Sequence, residues 1–339
     1  MTRLLELLVN GVSLGLLYAL ITLGFVIVYK ATRVVNFAHA SFLLLGVYVV
    51  AATQPRVGFA VAALLGIAVV AVLGLAVARL LLARIQRDHH HAMPIVTIGL
   101  NIVLTAELVR RLEEKVLPLG APWDGHVVHV GELALPLTAV LTVVGVPLLI
   151  AGLTALFTLT GWGLAMRASI ADREGAALVG VRLHRVSAAA WMLAGALATV
   201  AGIGLASFPS PGVSVSIEAV AITAFPAAII GGFDSLGGAI AGGLIVGVVQ
   251  VFVAGYQDSL AFLGLGIGMY YDYDLRDVET IERQDGASPR LDPIHVRRIA
   301  AVRHREDADR ICTKQQLRVE DVGHQPNLDR ARPARKLDA

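Results

Sequence analysis

Eight runs of apolar residues fill the first 265 positions: Leu4–Tyr29, Val34–Ala52, Val57–Leu82, Pro94–Val109, Leu135–Leu159, Ser187–Phe208, Ala219–Gly232 and Leu236–Ala254. Crossing the hydrocarbon core as a helix takes about 20 mainly apolar residues, and most of these runs reach that length. Pro94–Val109 and Ala219–Gly232 fall short, and each carries a proline, Pro94 and Pro226. Short, proline-bearing apolar helices fit broken or re-entrant segments beside a protein-walled path better than lipid-facing spans. The pattern predicts an all-α integral membrane protein of about eight transmembrane or re-entrant helices.

Composition sharpens this picture and divides the chain. Of the 339 residues, 56% are hydrophobic and 16% charged, against about 25% charged in an average soluble domain. From Met269 onward lie 14 of the 28 Lys and Arg and 14 of the 26 Asp and Glu. The expected organisation is therefore a transmembrane domain over 1–268 and a charged tail over 269–339, either disordered or translated out of frame. Outside that tail there is no basic stripe, which argues against nucleic acid as a partner. Cys312 is the chain's one cysteine, so no internal disulfide forms. The first apolar run lacks a small-residue cleavage site and reads as a retained helix.

Loop charge sets orientation. If the runs alternate, one side receives Lys30, Arg33, Arg79, Arg84, Arg87, Arg167, Arg173, Arg182 and Arg185, and the other Arg3, Arg56, Arg110, Arg111 and Lys115. The richer side is cytoplasmic by the positive-inside rule, which leaves the N-terminus outside. His89, His90 and His91 do not converge as metal ligands, because consecutive helical residues point around the axis; they read as a basic turn, and no metal site is expected.

Polar and small residues within the runs narrow the candidates. Gly11/Gly15, Gly238/Gly242 and Gly243/Gly247 have the spacing of close helix contacts in lipid, read first as packing within the chain. Thr97, Asn101 and Thr105 form a polar stripe that must face protein or water, either lining a path or bonding to a neighbouring helix. Asn36 and His39, three apart, are expected on one face at the start of the second run. Glu107 pairs with Arg110 and Arg111, while Glu218 and Thr223 flank the short seventh run near the outer side.

The longest inner loop, Thr160–Val186, is polar, and a helix is expected from Ala165 to Leu178 with Gly180 as its stop. Gly163, Ala165, Arg167, Ala168, Asp172, Glu174, Ala176 and Gly180 stand in a pattern that resembles the coupling loop of branched-chain amino-acid ABC transporter permeases. Asn10–Tyr48, with Asn-Phe-Ala-His at 36–39, is similar to that family's opening helix pair, although Ala40-Ser41 departs from its usual continuation. Ile95–Arg111 and Ala227–Gln250 match in collinear order, so the resemblance runs from about Leu4 to Leu265 and fades where the family would add a further helix.

The resemblance implies an inner-membrane permease subunit of an ATP-driven importer for branched-chain amino acids or related small polar solutes. It implies a second homologous permease, two cytoplasmic ATPases, a solute-binding protein and surrounding lipid as partners. On this reading Arg167, Ala168, Asp172, Glu174 and Gly180 couple to the ATPases, and Asn36, His39, Thr97, Asn101 and Thr105 line the path. The chain carries no G-x-x-x-x-G-K-[ST] phosphate loop, so ATP and Mg²⁺ are expected on the ATPases, with no cofactor and no catalysis here. A self-contained secondary transporter or channel is the alternative; it would need ionisable relays near the midplane, and the runs hold almost none.

Overall fold

The structure is a computed structural model that describes residues 2–82, 92–113, 115–124, 126–130, 133–208 and 211–256. The tail from Met269 and the turn carrying Arg84, Arg87 and His89–His91 lie outside the described residues. In order, the elements are α1 (Thr2–Thr32), α2 (His39–Val57), α3 (Phe59–Ala76, whose last turn widens to a π-helix over Val77–Leu82), α4 (Ala92–Leu112), β1 (Val127–Val130), β2 (Leu133–Pro136), α5 (Leu137–Leu159), α6 (Gly161–Ala171), α7 (Arg173–Leu178), α8 (Leu183–Ser207), α9 (Ser216–Gly231) and α10 (Leu236–Gly255). Among these, 7 helices are long and apolar enough to cross a membrane, and α9 is the shorter apolar eighth.

Pro94 does not break its helix. It sits in the first turn of α4, where a missing N–H removes no intrahelical bond, and the helix runs for 21 residues. Helix α9 holds Pro226 in its interior and still runs unbroken for 16 residues. It joins two sides of the bundle. Val213, just before it, pairs with Leu117, whereas Asp234, just after it, meets Arg33 at the C-terminal end of α1; these two sides are called outer and inner after the loop-charge expectation. The small hairpin of β1 and β2, with Val127 opposite Pro136 and Val130 opposite Leu133, is an addition to the all-helical expectation.

The organising element is α1. Of its most apolar window 94% is buried, against 17% for α4 and 22% for α5, which present apolar surface outward. Its neighbours are α10, α8, α9 and α5. Such enclosure in lipid cannot rest on hydrophobic transfer between helices, since the tails are equally apolar; it rests on close packing. The three glycine pairs supply it within the chain. A Cβ on Gly15 would lie 2.8 Å from the Leu244 Cα, and one on Gly11 would lie 3.1 Å from the Val248 Cα. Gly243 and Gly247 lie against Ala19 and Gly15 of α1, whereas Gly238 and Gly242 lie against Gly231 and Ala227 of α9. Helix α10 is thus smooth on two faces, one for each neighbour.

Loops keep to their own sides. On the outer side Trp123 Nε1 donates to Ser207 Oγ at 3.2 Å, Gln54 Nε2 donates to the Gly120 carbonyl at 3.3 Å, and Phe59 meets the Trp123 ring at 5.0 Å. On the inner side Arg33 ends α1 in the left-handed region, at φ 58°, with its guanidinium 2.9 Å from Asp234.

Gly247→Val is expected to destabilise the protein by about 1–3 kcal/mol through overpacking, because its Cβ would strike the backbone of Gly15. Gly145→Ala, whose Cβ meets nothing within 4 Å, is expected to be tolerated. Thermal midpoints of detergent-solubilised protein, read by loss of the monodisperse chromatographic peak, check the contrast.

Candidate functional site

Two polar regions stand out, one in the bundle and one at its inner face. In the bundle, the stripe on α4 divides. Thr97 is fully buried and tied to the α1–α2 connection: its Oγ1 donates to the Pro94 carbonyl at 2.8 Å and accepts from the Phe37 N–H at 3.3 Å. Asn101 and Thr105 turn to α9, where Asn101 Nδ2 and Thr105 Oγ1 donate to the same carboxylate oxygen of Glu218, at 3.1 and 2.7 Å. Glu218 is only 6% exposed and occupies the first turn of α9, where the helix dipole favours negative charge.

Asn36 and His39 are both buried, but they do not share a helical face, because α2 begins at His39 and Asn36 precedes it. The short Asn36 side chain folds onto its own backbone. Its Oδ1 accepts from the Ala38 N–H at 3.1 Å, and its carbonyl accepts from the His39 N–H at 3.2 Å, which starts the helix. His39 lies over Gly24 of α1 with its ring 4.6 Å from that of Phe25, and neither ring nitrogen has a protein partner among the described residues. The structure therefore brings Thr97 to the Asn36–His39 connection and brings Asn101 and Thr105 to Glu218; the five do not form one cluster.

A further network lies one turn along α9. Thr223 Oγ1 donates to the Tyr18 hydroxyl at 2.9 Å, and that hydroxyl donates to Gln250 Oε1 at 2.7 Å, linking α9, α1 and α10. Sequence reading passed over Tyr18 and Gln250. The signal was present: each is a polar group in the middle of an apolar run, which lipid cannot satisfy.

At the inner face, the helix expected from Ala165 to Leu178 is two helices. Asp172 is extended, at φ −149° and ψ 108°, and its Oδ1 accepts from the Gly175 N–H at 3.0 Å. Its short carboxylate satisfies an orphan N–H better as a cap than it would inside a helix, so the chain stops and restarts there. Thr160 caps α6 in the same way, accepting from the Gly163 N–H at 3.1 Å. Gly180 closes α7 at φ 90°, with its N–H on the Ala177 carbonyl and the Val181 N–H on the Ala176 carbonyl, the paired bonds of a Schellman stop.

Gly163, Met166 and Ser169 bury one face of α6 against the bundle. Arg167, Asp172, Glu174 and Gly180 are exposed and Ala168 is half-buried. The apolar pair Leu178 and Val179, 88% and 80% exposed, forms the tip. Sequence reading did not single out this pair, because two apolar residues before a glycine stop look like ordinary helix-end packing. Arg173 turns inward and donates to the Ala31 carbonyl at 3.2 Å, and Ser187 reaches the same oxygen at 3.4 Å. The inner element is thus fastened to the end of α1.

A bundle of this kind, with 7 helices long and apolar enough to cross a membrane and polar groups between them, is that of a multi-pass membrane protein. The family model described as branched-chain amino acid transport system / permease component matches residues 7–267, and the chain belongs to that family. Among relatives, it is 29% identical over 270 residues to the high-affinity branched-chain amino acid transport system permease protein LivH of Escherichia coli K12, covering 74% of this chain and 86% of the relative. It is 29% identical over 288 residues to BraD, the corresponding permease protein of Pseudomonas aeruginosa, covering 76% and 90%. It is 30% identical over 261 residues to a probable LivH of Methanocaldococcus jannaschii, covering 75% and 82%. No solved structure matches. The protein is accordingly a multi-pass inner-membrane transport subunit.

Sidedness is open to a direct check. With Cys312 replaced by serine, a cysteine at Val116 should react with an impermeant maleimide in intact cells. A cysteine at Val179 should react only after permeabilisation. Both side chains are well exposed, at 60% and 80%, so in cells that express this subunit without its partners a silent site reports its side of the membrane.

Proposed function

We propose that this chain forms half of the path of an ABC importer for branched-chain amino acids, working with a second permease, two cytoplasmic ATPases and a solute-binding protein. The substrate follows from what the relatives are named for, transport of branched-chain amino acids. Asn36, His39, Thr97, Asn101 and Thr105 are the path residues. Arg167, Ala168, Asp172, Glu174 and Gly180 form the coupling element, and ATP and Mg²⁺ belong to the ATPases.

One observation carries the coupling assignment. The exposed α6–α7 element ends in a bare apolar tip and is tied by Arg173 to Ala31, at the end of the helix around which the bundle packs. A force applied at the tip therefore reaches α1, and α1 touches both α9 and α10. An apolar pair on an element that also exposes Arg167, Asp172 and Glu174 has the composition of a small docking surface, an aliphatic centre for the partner to bury with charges around it. The α9 face of the bundle, where Asn101, Thr105 and Glu218 meet, supplies the polar surface that a zwitterionic solute needs.

Uptake by the reconstituted complex tests this reading. Glu174→Arg and Leu178→Asp should each reduce ATP-dependent leucine uptake by about tenfold or more, the scale of a lost interface anchor, with the permease still in the membrane. Asp172 needs two variants, since it also caps α7. Asp172→Asn keeps the cap and removes the charge, whereas Asp172→Ala loses the cap as well, at about 1 kcal/mol. Wild-type uptake by Glu174→Arg and Leu178→Asp together would overturn the coupling assignment.

A further inference from the structure

The carboxylate of Glu218 has an unusual set of neighbours. It is 6% exposed, within the apolar bundle, and among the described residues it makes no ion pair with a Lys, Arg or His. Its two donors are neutral and both engage Oε1: Asn101 Nδ2 at 3.1 Å and Thr105 Oγ1 at 2.7 Å. Because the amide nitrogen must face the carboxylate, the orientation of the Asn101 amide is fixed by chemistry. Its Oδ1 is then buried with no donor. Glu218 Oε2 likewise receives no hydrogen bond from a described residue.

The pair thus leaves two acceptors open among the described residues: Asn101 Oδ1, which is buried without a partner, and Glu218 Oε2, which no described residue reaches. A buried amide oxygen left so beside an acidic group is costly, and such groups persist where function uses them. A donor-only cation would complete them. A primary ammonium carries three N–H groups and no lone pair, which matches two open acceptors and one negative charge. Ile222 lies one turn along the same face of α9 and is 54% exposed, offering apolar surface beside the charged group.

We infer that Glu218 Oε2 and Asn101 Oδ1, with Thr105 holding the carboxylate in place, form a subsite for the α-ammonium group of an aliphatic amino acid in transit, its side chain against Ile222. The inference rests on the reading of the chain as an amino-acid permease and adds to it the residue that recognises the charge. Glu218 occupies the outer end of α9, on the side of the Leu117–Val213 pairing. The subsite is therefore a polar station near the outer mouth, and neutralising the solute's ammonium there lets the apolar part of the molecule proceed.

The test uses the full complex in proteoliposomes and two readouts. In the first, Glu218→Gln should lower leucine uptake by about tenfold or more, with the complex still assembled in the membrane. Glu218→Asp should recover part of the uptake. In the second, Thr105→Cys in a Cys312→Ser background is treated with cationic and anionic thiosulfonate reagents. The cationic reagent should react about tenfold faster, leucine on its binding protein should protect, and the charge preference should vanish in the Glu218→Gln background. A cysteine that is unreactive or indifferent to reagent charge, or Glu218→Gln uptake at the wild-type rate, would reduce the trio to an interhelical hydrogen bond and overturn the subsite. If Glu218→Gln does not assemble, the reagent preference with Glu218 intact decides. Wild-type complex that moves another solute but no amino acid would defeat the substrate reading separately, and the reagent preference would still report whether the site selects cations.

Discussion

Everything in this bundle depends on how closely α10 can approach α1. In water, two apolar helices are driven together by the solvent they exclude. In lipid that drive is missing, and attraction grows only as backbones come within van der Waals reach. Here glycines on both partners permit it: Gly11 and Gly15 on α1, and Gly243 and Gly247 on α10. The opposite face of α10 repeats the device with Gly238 and Gly242 against α9. The buried position of α1, the placement of the short α9 and the meeting of Tyr18, Thr223 and Gln250 all follow from that double contact.

The arrangement separates two tasks along one axis. The inner face carries the capped pair α6–α7, held to the end of α1 through Arg173 and Ser187. The interior carries polar groups that bridge helices and leave acceptors open. Between them runs a helix that is almost wholly enclosed, so a displacement at one end cannot be absorbed locally without disturbing close-packed neighbours. The proposed coupling needs a stiff member between the α6–α7 element and the interior, and α1 has the length and the enclosure for it.

How much of this could be read from the chain follows the physics of each signal. Apolar length announces spans directly, so all eight segments appear near their expected places, and the glycine spacing announced the packing faces. Gly180 was legible as a stop because only a residue without Cβ sits easily at positive φ. Asp172 was not, since a capping aspartate and a charged helical residue look alike until the φ and ψ of the site are known. Asn36 misled for a similar reason: its spacing to His39 suits a helix, yet its side chain bonds the Ala38 N–H and delays the helix start. Partners across the bundle, such as Asn101 with Glu218 over 117 positions, depend on tertiary register that no local pattern encodes. The hairpin at Val127–Pro136 was missed because its strands are only 4 residues each, too short for alternation to register.

The length of α9 has an electrical corollary. At about 1.5 Å per residue its 16 residues measure roughly 24 Å, less than the roughly 30 Å of a hydrocarbon core. Where water makes up the difference at its ends, the insulating stretch is shorter than the bilayer. The membrane voltage, which drops only across the insulating part of any route, is then concentrated over this stretch. A zwitterion crosses with no net charge, but its dipole turns in that steepened field, so the head that leads and the head that trails are no longer energetically equivalent.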